Sequence, residues 1–153
     1  MKERIFIVLD TDFIESEEDI FLIKADSRDH ALAVYAKEYY AKLDFFKEEI
    51  ERRTINMSFW EQFFFPTIYY EDNGTIKTDL SLSEIEIKFK ENIEKYLGEK
   101  YKHFTSDLID FFENEDKKIQ ELPEELVSYI AIKELQKEIN SFIIKEITDI
   151  CSI

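Results

Sequence analysis

The stretch MSFWEQFFFPTIYY at residues 57–70 constrains this chain more than any other, because it sets Phe59, Trp60, Phe63, Phe64, Phe65, Tyr69 and Tyr70 in one short span. Side chains of this size dominate both cores and interfaces, so the span is expected to be either the floor of the core or an anchor for a partner. Ser58 and Glu61 stand in the S-x-x-E spacing of a capping box, which predicts a short helix from Phe59. Pro66 ends it, since proline lacks the amide donor and pushes the preceding residue out of helical geometry. Residues 67–70 then read as a strand, and Asn73-Gly74 is the turn signal that joins it to a second strand over residues 75–80. Phe63, Phe64 and Phe65 are consecutive, and one short helix cannot turn all of them inward.

Before this span, residues 5–9, IFIVL, form a continuous apolar run rich in β-branched residues and read as a buried strand, as do residues 20–25, IFLIKA. The loop between them carries Asp10, Asp12, Glu15, Glu17, Glu18 and Asp19 with no basic neighbour, so it must be solvated or paired with something basic. An antiparallel hairpin is the simplest arrangement, because a parallel pair needs a longer crossover. Asp26 or Ser27 can cap a helix with Asp29 in its first turn. Leu32, Tyr35, Ala36, Tyr39, Leu43, Phe46 and Ile50 then recur at helical spacing, which predicts one helix over residues 27–53 supported by Glu38–Lys42 and Glu48–Arg52 pairs.

In the second half, Ser81 and Glu84 make another capping box, and Ile85, Phe89, Ile93, Leu97, Tyr101, Phe104, Leu108 and Phe111 continue a helical period. Residues 84–90, EIEIKFK, also alternate as a strand does, but the helical spacing runs much further and decides for helix. Gly98 and residues 105–107 are the expected breaks. Residues 113–118, ENEDKK, form a polar connector. Pro123 suits a first helical position, and Val127, Ile130, Ala131, Leu135, Ile139, Ile143, Ile147 and Ile150 predict a helix over residues 123–150. Such a helix is about 42 Å long, more than a small domain is wide, which makes it a candidate surface for a homodimer.

The chain has 153 residues, the size of one domain, with residues 1–80 as a ββα-ββ half and residues 81–153 as a helical half. Only two glycines and two prolines leave few sharp turns, so helix is expected to dominate. Twenty Lys and Arg stand against 35 Asp and Glu, a formal net charge of -15. A polyanion of this kind repels nucleic acid and anionic membrane, and its field speeds encounter with a basic partner. The single cysteine, Cys151, allows no internal disulfide. Together with the absence of a signal-peptide pattern at residues 1–13, or of an apolar run near 18 residues, this gives a cytoplasmic expectation.

Paired carboxylates at the end of a strand can hold a divalent metal against a phosphate, and IFIVLDTDFI places Asp10 and Asp12 there. Over about ten residues this resembles the opening motif of PIN-domain nucleases, and more weakly the D-x-D motif of haloacid-dehalogenase-type phosphatases. The resemblance implies that Asp10 is a metal ligand; the other acidic motifs of either family find no match here. An EF-hand is excluded, because the turn-glycine position would hold Glu15. His30 and His103 lie in or near helical segments, and no glycine-rich elbow surrounds a serine. Phosphate-loop, dinucleotide, CxxC and H-E-x-x-H patterns do not occur.

The expected fold is α+β: a small, mainly antiparallel sheet from two hairpins, packed by one central helix and followed by long C-terminal helices. The expected function is a non-enzymatic acidic interaction protein without cofactor or metal, an inhibitor that occupies the basic surface of a nucleic-acid-binding partner, as phage anti-defence and toxin-immunity proteins do. Its candidate contact residues are Asp10, Asp12, Glu15, Glu17, Glu18, Asp19, Glu71, Asp72 and Trp60, with a further acidic loop at residues 113–116. The alternatives are a divalent-metal phosphodiesterase using Asp10 and Asp12, and a helical homodimerisation module.

Overall fold

The computed structural model describes residues 4–10, 20–54, 58–64, 69–70, 76–137 and 142–147. The chain is α+β and divides into two compact units, one of Met1–Phe46 with Val127–Ile153 and one of Lys47–Leu126.

In the first unit, β1 (Arg4–Asp10) pairs antiparallel with β2 (Ile20–Ala25), as the apolar runs predict. Successive side chains of a strand point to opposite faces. On one face Phe6, Val8, Ile23 and Ala25 are buried. That face meets α1 (Arg28–Glu38), whose Ala31, Leu32, Tyr35 and Ala36 are buried at helical spacing. Ser27 caps α1 by accepting from the His30 amide, and Asp29 sits in the first turn where the helix dipole favours it. Phe21 closes one side, its ring centroid 4.2 Å from that of Tyr39 and 5.3 Å from that of Tyr35.

The helix expected over residues 27–53 is broken. Tyr39 leaves helical geometry, a 3-10 turn spans Tyr40–Lys42, Leu43 is extended, and α2 (Asp44–Glu51) starts afresh. The apolar period continues through the break, but the chain turns there so that Tyr40 is buried against Phe45 and Phe46, while Leu43 is left 40% exposed. Side-chain packing thus overrides an unbroken sequence period. The Glu38–Lys42 pair survives at 4.0 Å.

The helix expected over residues 123–150 is corrected more deeply. It ends early: α5 covers Glu124–Lys137, and Phe142–Glu146 form β5, antiparallel to β1 in a sheet of order β2-β1-β5. The run FIIKE is rich in residues that favour strands, and Ile143 and Ile147, four positions apart, share a face in a strand as well as in a helix. Pairing with the open edge of β1 decides between them, and the Ile147 amide extends the ladder by donating to the Ile5 carbonyl at 2.8 Å. The continuous helical surface that suggested a homodimer over residues 123–150 is therefore absent.

The second unit begins within α2 and contains the aromatic stretch. Ser58 caps a 3-10 turn over Phe59–Phe63, its hydroxyl accepting from the Trp60 amide at 3.3 Å and donating to the Thr54 carbonyl. The hairpin after it is a short ladder of β3 (Tyr69–Tyr70) and β4 (Ile76–Lys77), separate from the three-stranded sheet. Pro66 and the Asn73-Gly74 turn lie outside the described residues.

The fork at residues 84–90 resolves as helix. Both halves of the Ser81–Glu84 capping box form at the start of α3 (Leu82–Tyr101), whose Phe89, Ile93 and Leu97 are buried. Gly98 breaks the helical path at φ 73° and ψ 178°, where a side chain is strongly disfavoured. A 3-10 turn (Lys102–Phe104) then leads into α4 (Thr105–Glu113), so the break expected at Gly98 is present, whereas the one expected at residues 105–107 falls earlier, at residues 102–104, and residues 105–107 form the first turn of α4. A Cβ on Gly98 would meet nothing within 4 Å, so Gly98→Ala carries a backbone cost alone. Thermal unfolding is expected to show a loss of about 1–3 kcal/mol for this variant.

Candidate functional site

Trp60, placed by sequence among the candidate contact residues, is 0% exposed and takes no part in any surface. Its indole N–H donates to the Ile50 carbonyl at 2.8 Å. Its ring lies against Phe111 and Phe112, with centroids 6.1 and 5.0 Å away. Phe59, Phe63 and Phe64 are also buried, Phe64 stacking on Phe89 at 4.7 Å. Asn92 donates to the Phe63 carbonyl at 2.9 Å, which satisfies the backbone where the 3-10 turn ends. The side chains of Phe59, Trp60, Phe63 and Phe64 are therefore core, and for them the core reading of the stretch replaces the anchor reading. Phe65 lies outside the described residues.

The acidic loop at residues 113–116 has a structure that its composition does not announce. Arg53, two residues beyond α2, lays its guanidinium over the Phe111 ring at 3.9 Å. Nε donates to the Phe111 carbonyl at 2.7 Å, Nη1 to the Glu115 carbonyl at 2.9 Å, and Nη2 to the Lys117 carbonyl. The Phe111 carbonyl belongs to the last turn of α4, where it also accepts from the Asn114 amide at 3.3 Å and where a cation is favoured. Glu51 grips the far side of the loop by accepting from the Ile119 amide at 2.9 Å. Within the loop the Asn114 side chain accepts from the Asp116 amide at 3.2 Å, and Glu121 accepts from the Lys118 amide at 2.7 Å.

The backbone of the connector is thus fixed from inside, and Glu113, Glu115 and Asp116 are exposed. No ion pair among the described residues involves those three carboxylates. Burial lowers the pKa of Arg53, and the carboxylates of Glu51, Glu115, Asp116 and Glu121 oppose that shift. A guanidinium remains charged under such a shift, so the clamp is a permanent cation bonded to carbonyls rather than to the acids around it. The arrangement presents negative side chains from a backbone that is held in place; it contains no nucleophile paired with a base.

The remaining candidates are placed only in part. Asp10 ends β1, opposite Phe142 in the β1–β5 register, and its side chain lies outside the described residues. Asp12, Glu15, Glu17, Glu18, Asp19, Glu71 and Asp72 lie outside them altogether. Among the described residues, no group of three or more His, Cys, Asp or Glu side chains is placed to hold a metal ion. His30 Nδ1 sits 3.1 Å from Asp26 Oδ1 at the start of α1, a local helix-end contact that is half exposed. Among the described residues, no helix is long and apolar enough to cross a membrane.

Sequence reading missed Arg53 as an organising residue. The loop carbonyls that it binds lie 58 to 64 positions away, and the one cue was a pair of arginines closing a helical pattern, which is expected at any helix C-terminus. No protein-family model, curated protein or solved structure matches this chain.

Proposed function

We propose that this chain is a non-enzymatic, cytoplasmic interaction protein that inhibits a nucleic-acid-binding partner by occupying its basic surface, in the manner of anti-defence or immunity proteins. The observation that carries the reading is the Arg53-held loop, which displays Glu113, Glu115 and Asp116 without ion-pair partners among the described residues of a chain of net charge -15. Carboxylates carried on a fixed backbone suit this task. A backbone that is already ordered leaves only side-chain freedom to be lost on docking, and like-charged partners are rejected at a distance. The acidic runs around Asp10 to Asp19 and at Glu71-Asp72 extend the same chemistry along the sequence.

The test is affinity capture with the tagged protein, followed by stepwise salt elution. The expected partner is basic, is released as salt rises, and loses its nucleic-acid binding when the complex forms, because exposed charge pairs are screened within about 10 Å at 0.1 M salt. The triple variant Glu113→Gln, Glu115→Gln, Asp116→Asn is expected to bind that partner about tenfold more weakly, with a shallower salt dependence. Recovery of only neutral or acidic partners whose binding ignores salt would overturn the reading.

A further inference from the structure

The three-stranded sheet has a second face, which α1 does not cover. By the alternation of β1, the side chains opposite to Phe6 and Val8 are those of Ile5 and Ile7. The register places Lys24, Ile5 and Ile147 in one row across the sheet and Leu22, Ile7 and Lys145 in the next. Leu22 is 64% exposed and Ile5 is 37% exposed, while both lysines are exposed. The following row of the ladder pairs Ile20 with Leu9 and Leu9 with Ile143. An antiparallel sheet with one solvated face normally alternates apolar with polar residues, and this one does not.

Charge sets the face apart as well. In a chain with 15 more acids than bases, the described side chains of this face are apolar or cationic, and neither Lys24 nor Lys145 has an ion-pair partner among the described residues. The size of the face limits what can sit on it. Three strands at about 4.8 Å spacing and about 3.3 Å per residue offer roughly 300 Å². A stable interface between two copies takes about 800 Å² from each. A single helix, about 10 Å across, matches the width of the sheet.

We propose that this face docks one amphipathic helix of a partner protein, its apolar stripe on Ile5, Ile7 and Leu22 and its flanking carboxylates on Lys24 and Lys145. The two lysines stand on opposite edge strands, so acids on both sides of an apolar stripe are met at once. A second copy of the chain would set this face against its own lysines rather than carboxylates, and brings a charge of -15 against its own. An anionic lipid surface meets that same repulsion over the whole molecule rather than at one face. The site is distinct from the acidic loop at residues 113–116 and does not depend on its function.

The test uses the full chain and a labelled synthetic helical peptide with a leucine stripe flanked by glutamates, beside the same peptide flanked by lysines. Fluorescence anisotropy is expected to show the glutamate peptide binding about tenfold more tightly, against the net charge of the protein. Leu22→Asp, at a position already exposed, is expected to leave the thermal melt unchanged and to remove binding, and Lys24→Glu with Lys145→Glu is expected to reverse the peptide preference. Tighter binding of the lysine peptide, or binding indifferent to Leu22→Asp, overturns the proposal. Self-association in sedimentation that Leu22→Asp abolishes assigns the face to a second copy and also overturns it, as does capture on anionic vesicles that excludes the peptide.

Discussion

Arg53→Ala is expected to destabilise the protein by about 3 kcal/mol, read as a lower urea midpoint in equilibrium unfolding. A hydrogen bond to a charged group contributes about 1.5–3 kcal/mol net, and Arg53 makes such bonds to the carbonyls of Phe111, Glu115 and Lys117. These bonds share one side chain and one partly exposed loop, so they do not add in full. The stacking of the guanidinium on Phe111 at 3.9 Å contributes about 0.5–1 kcal/mol more. Arg53→Lys keeps the charge but not the fork, since one ammonium cannot reach three divergent carbonyls, and is expected to recover about half of the loss at most. If the clamp orders the acidic loop, Arg53→Ala also weakens partner binding without removing any carboxylate. A loss of stability under about 1 kcal/mol would mean that the connector is held by its own turn rather than by Arg53.

Trp60→Ala is expected to cost about 3–5 kcal/mol, the range for removing a large aromatic side chain from a packed core. The ring is fully buried and lies among Phe59, Phe63, Phe89, Phe111 and Phe112. Trp60→Phe keeps most of the apolar area but leaves the Ile50 carbonyl without its indole donor, so a cost of about 1–3 kcal/mol remains. Phe45→Ala is the internal control. Phe45 is 50% exposed, and its truncation is expected to fall far short of the Trp60 loss.

Much of the local structure was legible in the sequence because it is locally determined. The Ser27, Ser58 and Ser81 caps, the positive-φ break at Gly98 and the hairpin of β1 with β2 all follow from a few adjacent residues. The failures share the opposite cause. Ile143 and Ile147 share a face in a helix and in a strand alike, and only the edge of β1, far away in sequence, selects the strand. The break at residues 39–43 is invisible in the apolar period, because it depends on Tyr40 finding Phe45 and Phe46. Of the candidate site, the acidic character of residues 113–116 was plain from composition, whereas the clamp that orders them was not. Composition counts charges but does not show which backbone carbonyls an arginine can reach. Trp60 was misassigned because an aromatic run has the same signature in a core and in an interface.

The division of labour between an aromatic core and an acidic surface rests on one side chain that can be observed alone. Trp60 is the only tryptophan of the chain, so intrinsic fluorescence reports on it without labelling. Collisional quenching by acrylamide is expected to be many-fold weaker in the native protein than in the urea-unfolded chain, with blue-shifted emission that partner binding leaves unchanged. Native quenching close to that of the unfolded chain, or emission that shifts when a partner binds, would return residues 58–64 to the surface and contradict the placement of the core.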